Sequence, residues 1–298
     1  MICHIFSVPF TGLGRKNGYR GDIWLKNRIA VFKQFVIPSL MHQTKKEFIL
    51  WCQWRPEEKN NPHVQELWKT LNGLRGLSVI FTFHGICLYD DVHAPEKAVQ
   101  RLRTSLTYSL PELKEIVGSS KWVYLTCQPS DDLYMSKAVD MIQNQAPRKG
   151  KAFGWKKGYI MNYTNRELAE YNPETQPPFA TIIFPAKTFL HPIEHLEYIG
   201  PYKSHEEVPK YLNFKTLPGR GFIVGTHGNN ISTTFNHPYQ GNPLCGRTKD
   251  SVFLDFGIWA SDPIHLPKRK SIILRECINR LPKPIHDTLK LIYRSITR

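Results

Sequence analysis

Apolar positions along the chain follow two periods. Short runs rich in β-branched and aromatic residues predict strands at 4–10, 48–54, 77–83, 122–125, 158–163, 179–184 and 221–226. Between several of them the apolar residues recur every three or four positions instead. Leu25, Ile29, Phe32, Val36 and Leu40 predict a helix over 24–43, with Pro38 kinking or restarting it. Further helices are expected at 64–74, across 95–117 and from about 136 to 145. The 95–117 stretch reads as two consecutive helices. Ser109 and Glu112 have capping-box spacing there, and Pro111 sits where a starting helix tolerates it. The βαβαβ rhythm of the first half predicts an α/β fold with a mostly parallel central sheet flanked by helices. No repeat or low-complexity segment divides the chain, so 1–262 is expected to form one domain, followed by a basic tail at 263–298.

Composition narrows the function classes. With 298 residues and 41% hydrophobic content the chain can bury a sizeable core. It has no apolar run near the ~20 residues of a membrane span. The first ten residues are too short, and too polar at His4, for a signal peptide, so a cytoplasmic location is expected. The six cysteines are scattered without a Cys-x-x-Cys pair, which argues against a disulfide framework or a zinc knuckle. A net charge of +15 points to anionic partners: nucleic acid, an acidic membrane surface or phosphorylated substrates. From Lys268 onward nine Lys and Arg stand against Glu276 and Asp287, while Ile285, Leu289, Ile292 and Ile296 share a helical face. That pattern suits a basic amphipathic helix held peripherally on an anionic bilayer, or a terminal helix packed on the domain with its basic face in water.

Candidate chemistry gathers at the end of the 121–134 stretch. Trp122, Val123, Tyr124 and Leu125 form a strand of the kind covered on both faces, and Pro129 and Ser130 then end it. Asp131 and Asp132 therefore fall just beyond the carboxyl end of a strand, where ligands bind in open α/β sheets. Two adjacent carboxylates need compensation from a cation, a hydrogen-bond network or water. A divalent metal holding a diphosphate is one reading; a helix cap at Asp131 beside a solvated Asp132 is the other. A loop with Gly12, Gly14, Arg15, Lys16, Gly18, Arg20 and Gly21 is suited to phosphate but lacks dinucleotide-fingerprint spacing. His191-Pro-Ile-Glu-His195 matches a zinc-peptidase pattern literally, yet Pro192 favours a loop-to-helix junction. Ser204 is a candidate helix cap with Glu206 and Glu207 in the first turn; the alternative is a carboxylate acting as general base. The strand at 221–226 delivers His227, Gly228, Asn229 and Asn230 at its end.

In order and phrasing these positions resemble the GT-A-type glycosyltransferases, close to the putative rhamnosyltransferase family of the inverting, family-two-like group. The matching phrases are Ser39-Leu-Met-His-Gln43 at the end of the first helix, the strand at 48–54, Ser130-Asp131-Asp132, Ser204-His-Glu206, and Gly225-Thr-His227-Gly-Asn-Asn-Ile-Ser232. The resemblance spans roughly residues 4 to 240. Pro129 stands where the family's Asp-x-Asp-Asp motif has its first acid.

The resemblance implies a GT-A-like, Rossmann-like sheet and transfer of a sugar from a nucleotide-diphosphate donor to an acceptor hydroxyl, with inversion. It implies a divalent cation, Mn²⁺ or Mg²⁺, held by Asp131 and His227, with Asp132 on the donor. Glu206 would be the base, preferred over Glu207. Arg15, Lys16 and Arg28 are candidates for phosphate contacts, and Trp155, Tyr159 and Phe179 for stacking on sugar or base. The acceptor expected is a glycan or lipid-linked precursor in cell-surface polysaccharide synthesis. Modified DNA is the alternative acceptor, and an inactive relative that only binds nucleic acid or glycan is the alternative to an enzyme.

Overall fold

The computed structural model of the chain describes residues 1–10, 22–85, 95–199, 205–228, 230, 233–236, 239–266, 285 and 289. Arg15 and Lys16, Ser204, and nearly all of the basic tail lie outside the described residues.

Strand β1 (Ile2–Pro9) leads across the undescribed loop to helix α1 (Asp22–Val31). One π-helical turn over Phe32–Val36 joins α1 to α2 (Ile37–Met41). The predicted restart at Pro38 takes this form for a backbone reason. Proline has no N–H to give the Gln34 carbonyl four residues earlier, and that carbonyl instead accepts the Ser261 hydroxyl at 2.9 Å. The chain continues through β2 (Ile49–Gln53), α3 (Pro62–Asn72), β3 (Ser78–Thr82), α4 (Pro95–Tyr108), α5 (Leu110–Val117) and β4 (Trp122–Cys127). The two-helix reading of 95–117 holds, but the expected capping box does not form. The Ser109 hydroxyl donates to the Ser105 carbonyl at 2.9 Å, bridging the end of α4 instead of capping α5.

After β4 come β5 (Leu133–Tyr134), α6 (Ala138–Gln143), β6 (Lys151–Gly154), β7 (Lys157–Asn162), β8 (Glu167–Tyr171), β9 (Ala180–Pro185), α7 (Ala186–Phe189), α8 (Pro192–Ile199), α9 (Val208–Tyr211), β10 (Asn213–Thr216), β11 (Arg220–Thr226), β12 (Gln240–Leu244) and α10 (Gly246–Asp255). Seven strands form the central sheet in the order β10-β6-β9-β4-β1-β2-β3. All run parallel except β9, which is antiparallel to both of its neighbours. This is the mostly parallel α/β sheet that the alternating pattern predicted, Rossmann-like as the resemblance implied. β1 and β4 lie at its centre, with Ile5, Phe6, Val8, Val123 and Tyr124 buried, as parallel strands covered on both sides require.

A second sheet, β12-β8-β7-β11-β5, stands beside the first. Between them lies an aromatic core. Phe179 stacks on Phe222 at 4.0 Å between ring centroids, and Tyr134 meets Trp155 and Phe179 edge-on. Phe35 stacks on Tyr163 at 3.8 Å, which ties the π turn to the end of β7. Among the described residues no helix is long and apolar enough to cross a membrane.

Candidate functional site

From β1 the chain moves to β2 and β3 on one side and returns at β4 on the other, so the direction of strand order reverses between β1 and β4. Ligands of open α/β sheets bind outside the carboxyl ends of strands at such a reversal. Asp131 and Asp132 sit there, four and five residues beyond the end of β4. Asp131 does not cap a helix. The next helix begins at Ala138, and the two residues after the acid pair form β5, antiparallel to β11 of the second sheet. The acids thus occupy the crossing from one sheet to the other.

Three residues converge on the Asp131 carboxylate, and a fourth holds its backbone. Its Oδ2 pairs with the Arg28 guanidinium, lies 3.2 Å from His227 Nε2 and accepts Asn230 Nδ2 at 3.0 Å. Tyr163 donates its hydroxyl to the Asp131 carbonyl at 2.9 Å. The orientation of Asn230 is fixed by its other bonds: Oδ1 accepts the His227 N–H at 2.8 Å, and Nδ2 also reaches the Gly225 carbonyl at 2.7 Å. Arg28 arrives from α1, where it belongs to the buried face, and its guanidinium lies 5.2 Å from the Trp24 ring.

Asp132 turns the other way. Its Oδ1 accepts the Gly225 N–H at 2.8 Å, stitching the acid pair to β11. Glycine is required at 225, because a Cβ there would lie 2.2 Å from the Asp131 carbonyl oxygen and 2.4 Å from the Tyr163 ring.

Environment splits the two carboxyls. Burial alone would raise Asp131, but the Arg28 charge and the His227 contact hold it down to about 2. Asp132 is pushed well up, first by burial and then by the charge of Asp131, against the pull of the Gly225 amide. Burial lowers His227, and the bond to Asp131 only partly offsets this. The cluster therefore sets a guanidinium against the Asp131 carboxylate, with Asp132 shifted toward its protonated form and His227 toward its neutral imidazole. Neutral His227 donates Nε2–H to Asp131, which leaves Nδ1 as a buried acceptor with no hydrogen-bond partner among the described residues. Arg28 Nε and Gln128 Oε1 are buried and unpartnered in the same way.

The donor set does not fit a divalent cation. Asp131 Oδ2, the oxygen facing His227, already receives an amide N–H and a guanidinium, so a metal there would meet cationic and N–H hydrogens rather than lone pairs. Asp132 turns Oδ1 away to accept the Gly225 N–H, and Pro129 offers no side-chain oxygen. Among the described residues no three His, Cys, Asp or Glu side chains converge on one point.

A cleft of about 480 Å³ opens beside this cluster at the carboxyl ends of β7 and β11. Its walls carry Asn162, Thr226, Asn230, Thr233, Asn236 and Gln240, with Lys249 and Glu167 as its charged groups. Amides and hydroxyls in such density match a hydroxyl-rich ligand, and Asn230 belongs to both cleft and cluster.

The structure thus brings Arg28, Asp131, Asp132 and His227 together. Trp155 and Phe179 do not join them. At 1% and 0% exposure they are packed in the inter-sheet aromatic core, with no ring face open to a sugar or base. Tyr159 is half-buried on β7, under the Arg220 guanidinium and edge-on to Phe256. Glu206 and Glu207 lie in a 3₁₀ turn, His205–Glu207. Glu206 is exposed and accepts the Thr175 hydroxyl at 3.1 Å; Glu207 pairs with Lys210 at 3.6 Å. His205 contacts the Gln176 carbonyl, and Gln176 reaches the Trp155 carbonyl just past the end of β6. These links set Glu206 on the same carboxyl edge as the acid pair, two strands across in the sheet order. His195 is buried against Phe189 and Phe184 at the start of α8, the loop-to-helix junction expected.

Asn230 and Gly225 were not assigned roles from sequence. The signal was present, since Asn230 lies three residues beyond His227, the span over which its amide folds back onto the His227 N–H.

No protein-family model matches the chain, and no curated protein matches it. Among solved structures it is similar to one titled as the inositol-1-phosphate CTP transferase from T. maritima, at 13% identity over 75% of this chain and 86% of that one, with a TM-score of 0.35. A likeness of that size carries no argument about activity.

Proposed function

We propose that this chain is an inverting glycosyltransferase that moves a sugar from a nucleoside-diphosphate donor to an acceptor hydroxyl. The observation that carries the reading is the Arg28–Asp131–His227–Asn230 cluster, at the carboxyl end of β4 where the strand order reverses and beside an amide-rich cleft. Two of the phrases that resemble GT-A enzymes, Ser130-Asp131-Asp132 and the one that begins at Gly225 and carries His227 and Asn230, fall on this cluster.

In the proposed reaction the acceptor hydroxyl gives its proton to Glu206 and its oxygen attacks the anomeric carbon. The bond from that carbon to the diphosphate oxygen breaks, and the diphosphate leaves with the electron pair. Arg28 is the resident charge that meets the leaving group, Asp131 holds the guanidinium in place, and the cleft accommodates sugar hydroxyls through Asn162, Thr226 and Asn230. The acceptor class proposed is a glycan or lipid-linked glycan, to which the basic tail would give access at an anionic surface.

A thermal-shift panel of nucleoside-diphosphate sugars tests the reading. One donor should raise the melting temperature and be hydrolysed or transferred in the presence of a saccharide acceptor. A flat panel refutes it, and binding of duplex DNA in place of any sugar nucleotide would move the assignment to a nucleic-acid binder.

A further inference from the structure

We infer that Arg28 is the resident cation of this site, standing where a divalent metal would stand at Asp131, so that the acid pair takes up no metal. The inference deepens the proposed function and rests on it only in taking the ligand to be a diphosphate. Three observations carry it. The guanidinium is fixed against Asp131 from within the fold, being buried on α1 beside Trp24 rather than reaching in from the surface. The carboxylate oxygen that would ligate a metal together with His227 is taken by N–H donors, and the Asn230 amide cannot be flipped to offer its oxygen, because that oxygen already holds the His227 N–H. The second acid is also turned away: Asp132 gives Oδ1 to the Gly225 N–H on β11, while the guanidinium of Arg28 is already in contact with Asp131 Oδ2.

Buried donors remain unspent. Arg28 Nε finds no acceptor among the described residues, although a buried guanidinium nitrogen ordinarily does. A diphosphate oxygen is an acceptor of the right charge for it, since Arg pairs with phosphate through directed N–H bonds and needs no bridging ion. A metal-holding site would present the opposite chemistry, with lone pairs converging and the nearest cation kept away.

The test uses the full chain, stripped with EDTA. Its first arm is a titration with Mn²⁺ alone, followed by the electron paramagnetic resonance signal of the free ion. The expected result is a signal undiminished by protein at millimolar metal. Its second arm compares binding of inorganic pyrophosphate, and of any sugar nucleotide found to bind, in EDTA and in Mn²⁺; affinities should agree within about threefold. Uptake of about one Mn²⁺ per chain that Asp131→Asn abolishes would overturn the inference. So would a tenfold or greater gain in sugar-nucleotide affinity on adding Mn²⁺. Both decisive readings are made on the unaltered protein, so a variant that fails to fold does not blunt them. If Arg28→Met folds, acquisition of Mn²⁺ binding by it supports the same conclusion, because the vacated place would lie between Asp131 and His227. Failure of the proposed function looks different: no sugar nucleotide binds in either condition, while the Mn²⁺ titration still decides this question.

Discussion

Replacing Asp131 by Asn removes one charge at nearly constant volume and is the sharpest perturbation of the cluster. The two side chains keep only 7% and 12% of their surface exposed, for Arg28 and Asp131, so solvent screens the pair little. Breaking a buried ion pair by removing one partner costs about 3–5 kcal/mol, because the other charge stays buried without compensation. His227 and Asn230 lose their charged acceptor in the same step, which places Asp131→Asn toward the upper end, about 4 kcal/mol. For a chain of this size that corresponds to a fall of roughly 8 °C in melting temperature. The double variant Arg28→Met/Asp131→Asn should be less unstable than the sum of the single changes, with a coupling of about 2–3 kcal/mol.

Acid sensitivity gives an independent reading of the same pair. The folded carboxyl is depressed from 3.8 to about 2, so its contribution is present above pH 4 and is lost as pH falls toward 2. That shift corresponds to about 2.5 kcal/mol, and the acid limb of the wild-type stability curve should be steeper than that of Asp131→Asn over this window. Urea unfolding at a series of pH values supplies both measurements. A single-site cost under about 1 kcal/mol, or strict additivity in the double variant, would show that the contact does not stabilise the fold and would refute the reasoning.

Three further outcomes separate the roles of neighbouring residues. Asp132→Asn should leave stability at pH 8 unchanged or higher by about 1 kcal/mol, since a carboxyl raised above its unfolded value costs stability increasingly as pH rises and Asn keeps the acceptor for the Gly225 N–H; the advantage should vanish below pH 4, by denaturant unfolding at both pH values. Gly225→Ala should cost about 3 kcal/mol and abolish donor binding, because the added methyl meets the Asp131 carbonyl, which is backbone and cannot swing aside. Glu206→Gln should lower turnover by about 10²- to 10⁴-fold with donor binding and melting temperature unchanged, whereas Glu207→Gln, which loses a contact to Lys210, should stay near wild-type activity in the same assay.

The parts of the fold legible in the sequence are those where burial acts on both faces. β1, β2, β4 and β11 are runs of apolar side chains because each is covered above and below, and a continuous apolar run is a strong signal. The missed strands lack that signal for identifiable reasons. β5 is two residues long; β6 is four residues, KAFG, in a basic, glycine-containing stretch; β8 carries Glu167 and Glu170 along an otherwise apolar strand; β10 and β12 lie at sheet edges, where Lys, Asn, Gly and Pro are tolerated. The second sheet was therefore seen only through β7 and β11, and the crossing at the acid pair was read as a turn into a helix.

The acid pair itself was legible because Pro129 and Ser130 end a buried strand directly before it. Its counter-charge was named only as a candidate for phosphate contacts, and its pairing with Asp131 was not legible. Arg28 lies four residues after Trp24 and between Leu25 and Ile29, on a helix whose inner face takes in both polar and apolar side chains. A pattern of apolar positions assigns a lone arginine on such a helix to solvent, because Arg is almost never fully buried unless paired, and its partner lies 103 positions further along the chain. The same logic exposes Trp155 and Phe179. From sequence an aromatic residue near a strand end fits a stacking platform and a core plug equally, and only the presence of Tyr134 and Phe222 opposite them decides for the plug. What composition could not supply in either case was the facing element, and in this chain the facing elements of the site come from α1, β4, β7 and β11, which no local window joins.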